Sequence, residues 1–143
     1  MKILVTGGCG FIGSNFVLKQ IHTTENKIIN IDKLTYAGNI ENLSSISDNP
    51  HYQFIHGDIC DSNLVSNIIS DFLPEVLVGT AGTVTTLGAI NGGVYPYDPD
   101  KIHGSTLSLK RVKELLEDLK NKSLDERMAM EAIEKGREDL IIA

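Results

Sequence analysis

Residues 1–16, MKILVTGGCGFIGSNF, decide how this chain is read. Lys2 to Val5 is a short run of aliphatic and β-branched residues, the pattern of a buried strand in a parallel sheet. Gly7, Gly10 and Gly13 follow at once, and Phe11, Ile12, Phe16 and Val17 then take up helical spacing. Strand, glycine turn and helix start bring free backbone N–H groups and the positive end of a helix to one point, where a pyrophosphate can sit. One glycine allows the tight turn, one admits the phosphates to the backbone, and one lets helix and strand pack closely.

The spacing is G-x-x-G-x-x-G, and glycine turns by themselves are common. A second aliphatic strand, Lys27 to Ile31, sharpens the pattern because it ends in Asp32, about 20 residues past the last glycine. A carboxylate there accepts hydrogen bonds from an adenosine ribose. It also repels a 2′-phosphate, which points to NAD over NADP. Alone, Asp32 would read as a turn-forming residue after a strand. The glycines tip the balance.

The 143 residues match one ordinary domain, with 41% hydrophobic and 22% charged residues, a globular composition. A formal charge of −6 gives no general attraction to nucleic acid or anionic membrane. No apolar run approaches the roughly 20 residues that span a bilayer, and the chain starts on a strand rather than on a signal peptide's apolar core. Cys9 and Cys60 are too few for a disulfide framework and lack metal-ligand spacing. The compartment expected is a reducing cytoplasm. Cys9 is either a thiol activated by the helix N-terminus or a small residue that fits the turn.

Further along, KLTYAGNIENL is polar and then weakly helical, with Asn39 or Asn42 as a cap. Tyr52 to His56 reads as a third strand, followed by Gly57-Asp58-Ile59. Asp61 caps a helix carrying Leu64, Val65, Ile68, Ile69 and Phe72, Pro74 stops it, and Val76 to Val78 begins a fourth strand. The expected fold is α/β: half of a doubly wound, Rossmann-like parallel sheet of about four strands, followed by a helical C-terminal segment.

The segments TGGCGFIGSNF, IINIDKLTYAGNIENL and FIHGDICD resemble the N-terminus of the dTDP-glucose 4,6-dehydratases, extended short-chain dehydrogenase/reductases, over residues 1 to about 78. DKLTYAGN is the most specific of them. The resemblance implies that Gly7, Gly10, Phe11, Ile12 and Gly13 line the pyrophosphate of NAD. It places Asp32, Lys33, Leu34, Thr35 and Gly38 around the adenosine ribose, and Asp58 and Ile59 beside the adenine. Where that family continues with an Ala-Ala-Glu-type segment for the nicotinamide, Val78 runs instead into GTAGTVTTLGAI.

From about residue 79 the chain resembles an internal piece of the exopolyphosphatase and guanosine pentaphosphate phosphohydrolase (Ppx/GppA) family. The carriers are Gly79-Thr80-Ala81-Gly82-Thr83, Tyr97-Asp98-Pro99, Ile102-His103-Gly104, SLDER and GREDLIIA. Two segments are therefore expected, a half-domain over 1–78 and a mainly helical piece over 79–143 packed on it, in a chimera joined at about residues 76–79. Read without that name, Thr83 to Ile90 forms a helix ended by Asn91-Gly92-Gly93, and YPYDPDK is a loop. Ser108 caps a helix with Leu109, Val112, Leu115, Leu116 and Leu119 on one face. Ser123 and Glu126 have capping-box spacing for a last helix reaching Gly136.

Short-chain dehydrogenases use a Tyr-x-x-x-Lys pair, and the 4,6-dehydratases add an Asp-Glu acid/base pair. The single match here, Tyr97 to Lys101, contains Pro99, which disfavours the helical turn that would join the two side chains. The catalytic residues of the phosphatase family are absent too. Three functions stay open. One is a module that binds NAD or an adenine nucleotide without turnover, and another is a minimal nucleotide-sugar 4,6-dehydratase. The third is a ligand-free scaffold that forms a homo-oligomer through an exposed sheet edge or helix faces.

Overall fold

Four parallel strands in the order β3-β2-β1-β4 carry the first half of the chain. They are β1 (Lys2–Thr6), β2 (Lys27–Asp32), β3 (Tyr52–His56) and β4 (Val76–Gly79). The computed structural model describes residues 1–80, 82–133 and 135. Two units divide the chain, Met1–Ala81 and Gly82–Ala143.

In the first unit, strand alternation sends side chains to two separate cores. Ile3, Val5 and Ile28 meet Val17 of α1 (Phe11–Thr23) together with Leu43 and Ile46. Leu4, Ile29 and Ile31 meet Ile68, Leu64 and Phe72 of α2 (Ser62–Phe72) on the other face. Both faces of β1 and β2 are thus covered, as their uninterrupted apolar runs require. The weakly helical segment is a 3-10 helix, Ile40–Ile46, and Asn39 supplies its cap by accepting from the Glu41 amide. Asp61 caps α2 by accepting from the amides of Asn63 and Leu64. Leu73, with φ of 51°, ends that helix just before Pro74.

The second unit contains α3 (Gly82–Gly92), α4 (Pro99–Ile102), α5 (Leu109–Asn121) and α6 (Leu124–Met128). Gly93 turns the chain out of α3 at φ of 59°, and the Val94 amide bonds the Ala89 carbonyl. Ser108 caps α5, and Leu115 and Leu119 are buried, but Leu109 lies in solvent. Two expectations need correction. YPYDPDK is not all loop, because Asp98 accepts from the Asp100 amide and Pro99, at a first-turn position that needs no N–H, opens α4. The Ser123–Glu126 capping box forms, yet α6 stops after five residues. The chain bends there so that Met130 and Ile133 reach Leu119, Leu87 and Ile90, and that packing overrides local helix preference. Gly136 lies outside the described residues.

Candidate functional site

The chain steps outward from β1 through β2 to β3 and then returns to place β4 on the other side of β1. The crossover reverses between β1 and β4, the place beyond the C-terminal strand ends where open α/β sheets bind their ligands. The Gly7–Gly10 turn, the Asp32–Gly38 segment, Gly57–Ile59 and Thr80 all follow strand ends on this edge. The Thr80 hydroxyl lies 3.0 Å from the Thr6 carbonyl and 3.1 Å from that of Gly7, tying the turn to the end of β4.

Gly7 has φ of 74°, a left-handed conformation that leads the chain sharply off β1. Gly13 answers a different need. A Cβ on it would stand 2.4 Å from the Gly7 carbonyl oxygen and 2.7 Å from the Gly8 Cα, so α1 could not pack on the turn. At Gly10 a Cβ would meet only ordinary contacts, the Gly7 carbonyl oxygen at 3.4 Å and that of Ala37 at 3.6 Å.

The amides of the turn itself are all spent inside the protein. Gly7 N–H donates to Ile31 O (3.0 Å) and Gly10 N–H to Gly7 O (3.2 Å). Gly8 N–H donates to Asn30 Oδ1 (3.0 Å) and Cys9 N–H to Asp32 Oδ2 (2.8 Å). Helical bonding resumes with Ser14 N–H to Gly10 O at 2.8 Å. Gly10, the N-cap residue of α1, offers no side-chain cap, so the amides of Phe11, Ile12 and Gly13 are the orphan donors every helix start leaves. Phe11 and Ile12 are 83% and 61% exposed.

Asp32 is buried, and its other oxygen, Oδ1, accepts from the Leu34 amide at 2.8 Å. A carboxylate has about four lone-pair sites, so acceptor capacity remains on each oxygen. Leu34 takes a left-handed φ of 54°, and Gly38 N–H closes a turn onto the Thr35 carbonyl at 2.9 Å. Gly38 lies so near Asp32 that an added Cβ would stand 2.9 Å from Oδ1. The Asn39 amide and the Asn42 side chain both donate to the Cys9 carbonyl at 3.0 Å, binding this segment to the glycine turn.

Lys33 forms a close ion pair with Asp58 Oδ2, and the Cys60 amide donates to Asp58 Oδ1 at 3.0 Å. The Lys33 ammonium, followed by the Cys60 N–H, holds the Asp58 carboxyl below its ordinary range. The same pair raises Lys33. Asp58 therefore contributes stability above its ordinary pKa that is lost as pH falls through the depressed value, and Lys33 contributes stability below its ordinary pKa that is lost as pH rises through the raised one. In Lys33→Met the Asp58 carboxyl is expected to titrate closer to 3.8, the ordinary aspartate value, when followed by side-chain carboxyl NMR. Ile59, beside it, is exposed.

Cys9 is fully buried, and burial pushes its thiol up rather than down. It is a small residue that fits, not an activated nucleophile. Tyr97 and Lys101 each have another partner: the Tyr97 hydroxyl lies 3.2 Å from His103 Nε2, and Lys101 pairs with Asp98 at 3.1 Å. Sequence reasoning passed over Asn30, which is fully buried under the turn. Its signal was present as the one polar residue inside the apolar run of β2. Among the described residues no group of three or more His, Cys, Asp or Glu could hold a metal ion. No described helix is long and apolar enough to cross a membrane.

Residues 4–85 match the model of a protein family described as GDP-mannose 4,6-dehydratase. The dTDP-glucose 4,6-dehydratase of Escherichia coli is 52% identical over 81 residues, which are 57% of this chain and 22% of that enzyme. The chain thus spans about a fifth of the length of that relative. A low-salt glycan biosynthesis protein of Haloferax volcanii, Agl12, is 38% identical over 105 residues, 73% of this chain and 33% of that protein. That match is longer than the 78 residues ahead of the expected join. Among solved structures, the dTDP-glucose 4,6-dehydratase of Bacillus anthracis in complex with NAD superposes with a TM-score of 0.56 at 42% identity, covering 65% of this chain and 34% of that one. None of these matches carries the exopolyphosphatase resemblance of residues 79–143.

Proposed function

The chain belongs to the GDP-mannose 4,6-dehydratase family through residues 4–85, and on that footing we propose that it binds NAD by its adenosine-diphosphate end. One observation carries the reading. At the switch point of the sheet, every amide of the glycine turn is satisfied internally, while the first turn of α1 lies uncapped within reach of the same edge as Asp32. That pattern suits a diphosphate on the helix N-terminus and a ribose at the carboxylate. In this reading Gly7 and Gly13 shape the turn, Gly10 leaves room for the phosphates, and Phe11, Ile12 and Gly13 donate to them. Asp32 takes the ribose within the loop Lys33, Leu34, Thr35 and Gly38, and Asp58 and Ile59 flank the adenine. The NAD complex of the Bacillus anthracis relative supports the choice of cofactor.

When bound, NAD supplies a hydride acceptor. In these 143 residues Tyr97 and Lys101 are engaged elsewhere, so the proposal is binding without turnover. ADP-ribose is then expected to displace NADH with an affinity within about threefold of NAD itself, because the contacts named lie on the adenosine-diphosphate half. A preference for NAD of 30-fold or more (about 2 kcal/mol), or 4-keto product from dTDP-glucose and NAD, would sink it.

The chimera belongs to the same proposal. The order of GTAGT, Tyr97-Asp98-Pro99 and Ile102-His103-Gly104 supports a phosphatase-type origin for residues 79–143, and the long Haloferax match weighs against it. Self-association through the edge strand β4, where Leu77 is 58% exposed, and a reducing cytoplasm complete the reading.

A further inference from the structure

Asn30 and Asp32 stand two positions apart on β2, so both side chains leave the same face of the strand. Each reaches up to one amide of the glycine turn: Asn30 Oδ1 takes Gly8 N–H at 3.0 Å, and Asp32 Oδ2 takes Cys9 N–H at 2.8 Å. Asp32 sits at the rim and keeps lone pairs free. Asn30 is fully buried, and nothing outside the protein can touch it.

The bonding of Asn30 is complete within the fold. Its amide group donates to the Tyr52 hydroxyl of β3 at 3.2 Å and lies 3.5 Å from Cys9 Sγ. A Cβ on Gly8 would stand 2.3 Å from Asn30 Oδ1, so the turn rests directly on this side chain. An apolar residue would satisfy the packing of β2 as Ile28 does on the same face. A buried amide is justified only if its hydrogen bonds are made, and here they join three separate pieces of chain.

We propose that Asn30 is a positioning residue for the diphosphate site, one that turns the Gly8 amide inward and so fixes where the first turn of α1 meets a ligand. It touches no ligand itself. Tyr52 holds the far end of its amide group, which extends the brace from the glycine turn to β3. The proposal rests on the cofactor reading above and adds to it a residue that the glycine pattern does not contain.

The test is Asn30→Ala, with Tyr52→Phe as a second variant that removes only the hydroxyl and keeps the ring. NADH and ADP-ribose are measured by fluorescence and competition, adenosine by chemical-shift titration, and the Gly8 amide by hydrogen exchange. In Asn30→Ala, NADH and ADP-ribose are expected to weaken at least 10-fold and adenosine less than about twofold, with Gly8 protection lost. Tyr52→Phe is expected to show the same selective pattern at two- to fivefold, and it decides the matter if Asn30→Ala does not fold. Equal weakening of all three ligands would mark Asn30 as merely structural and overturn the proposal. So would unchanged NADH affinity in a folded variant. If the unaltered chain binds none of the three, the cofactor reading fails and takes the ligand role of Asn30 with it. Gly8 exchange would then still report whether the brace exists.

Discussion

Gly13→Ala is expected to abolish measurable NADH binding and to lower stability by about 1–3 kcal/mol, the usual range for forcing a methyl group into packed surroundings. The added carbon would stand 2.4 Å from the Gly7 carbonyl oxygen and 2.7 Å from the Gly8 Cα. Both obstacles are backbone, so no side chain can swing aside to absorb the clash. Relief has to come from α1 lifting off the turn, and that moves the Phe11, Ile12 and Gly13 amides away from the place where a diphosphate would sit. Gly10→Ala is the contrasting case. Its Cβ meets only ordinary contacts within the protein, so the loss of stability should stay at about 1 kcal/mol, the usual cost of alanine at an N-cap. On the proposed reading binding should still fall, because the added methyl group would stand where the phosphates approach. Urea unfolding and NADH titration of the two variants separate the roles.

Asp32→Ala is expected to weaken NADH about 10- to 100-fold, the equivalent of one hydrogen-bonding interaction with a charged group at about 1.5–3 kcal/mol. Stability should fall as well, since the Cys9 and Leu34 amides both lose their acceptor. An unsatisfied buried donor costs about 1–3 kcal/mol. Asp32→Asn is informative beside it. An amide side chain has a single acceptor oxygen and cannot serve both backbone N–H groups, so it should retain part of the stability and little of the affinity. Equal affinity in the unaltered chain and both variants would show that the ribose does not meet this residue.

Much of the sheet and of the helix starts in both units was legible because these signals are local and agree with one another. The apolar runs Ile3–Val5 and Ile28–Ile31 are covered on both faces, and Asn39, Asp61, Ser108 and Ser123 cap the helices they precede. What escaped the sequence depends on contacts between distant positions. The early end of α6 is set by Met130 and Ile133 reaching Leu119 and Leu87, which no local pattern announces. Asn30 escaped for the opposite reason: a polar residue in an apolar strand looks like noise until the amide it serves, 22 positions earlier in the chain, is seen above it. The glycines were easy to find, but the division of labour was not. That Gly8 and Cys9 turn their amides inward, onto Asn30 and Asp32, is visible only in three dimensions.

On the proposed reading the first turn of α1 receives the diphosphate of NAD. Titrating ADP-ribose into the isotope-labelled chain and following every backbone amide tests it most directly. Saturable shifts are expected, largest at Phe11, Ile12 and Gly13, with a second group at Asp32 to Gly38. Absence of saturable shifts, or shifts centred on residues outside the strand-end loops, would contradict it.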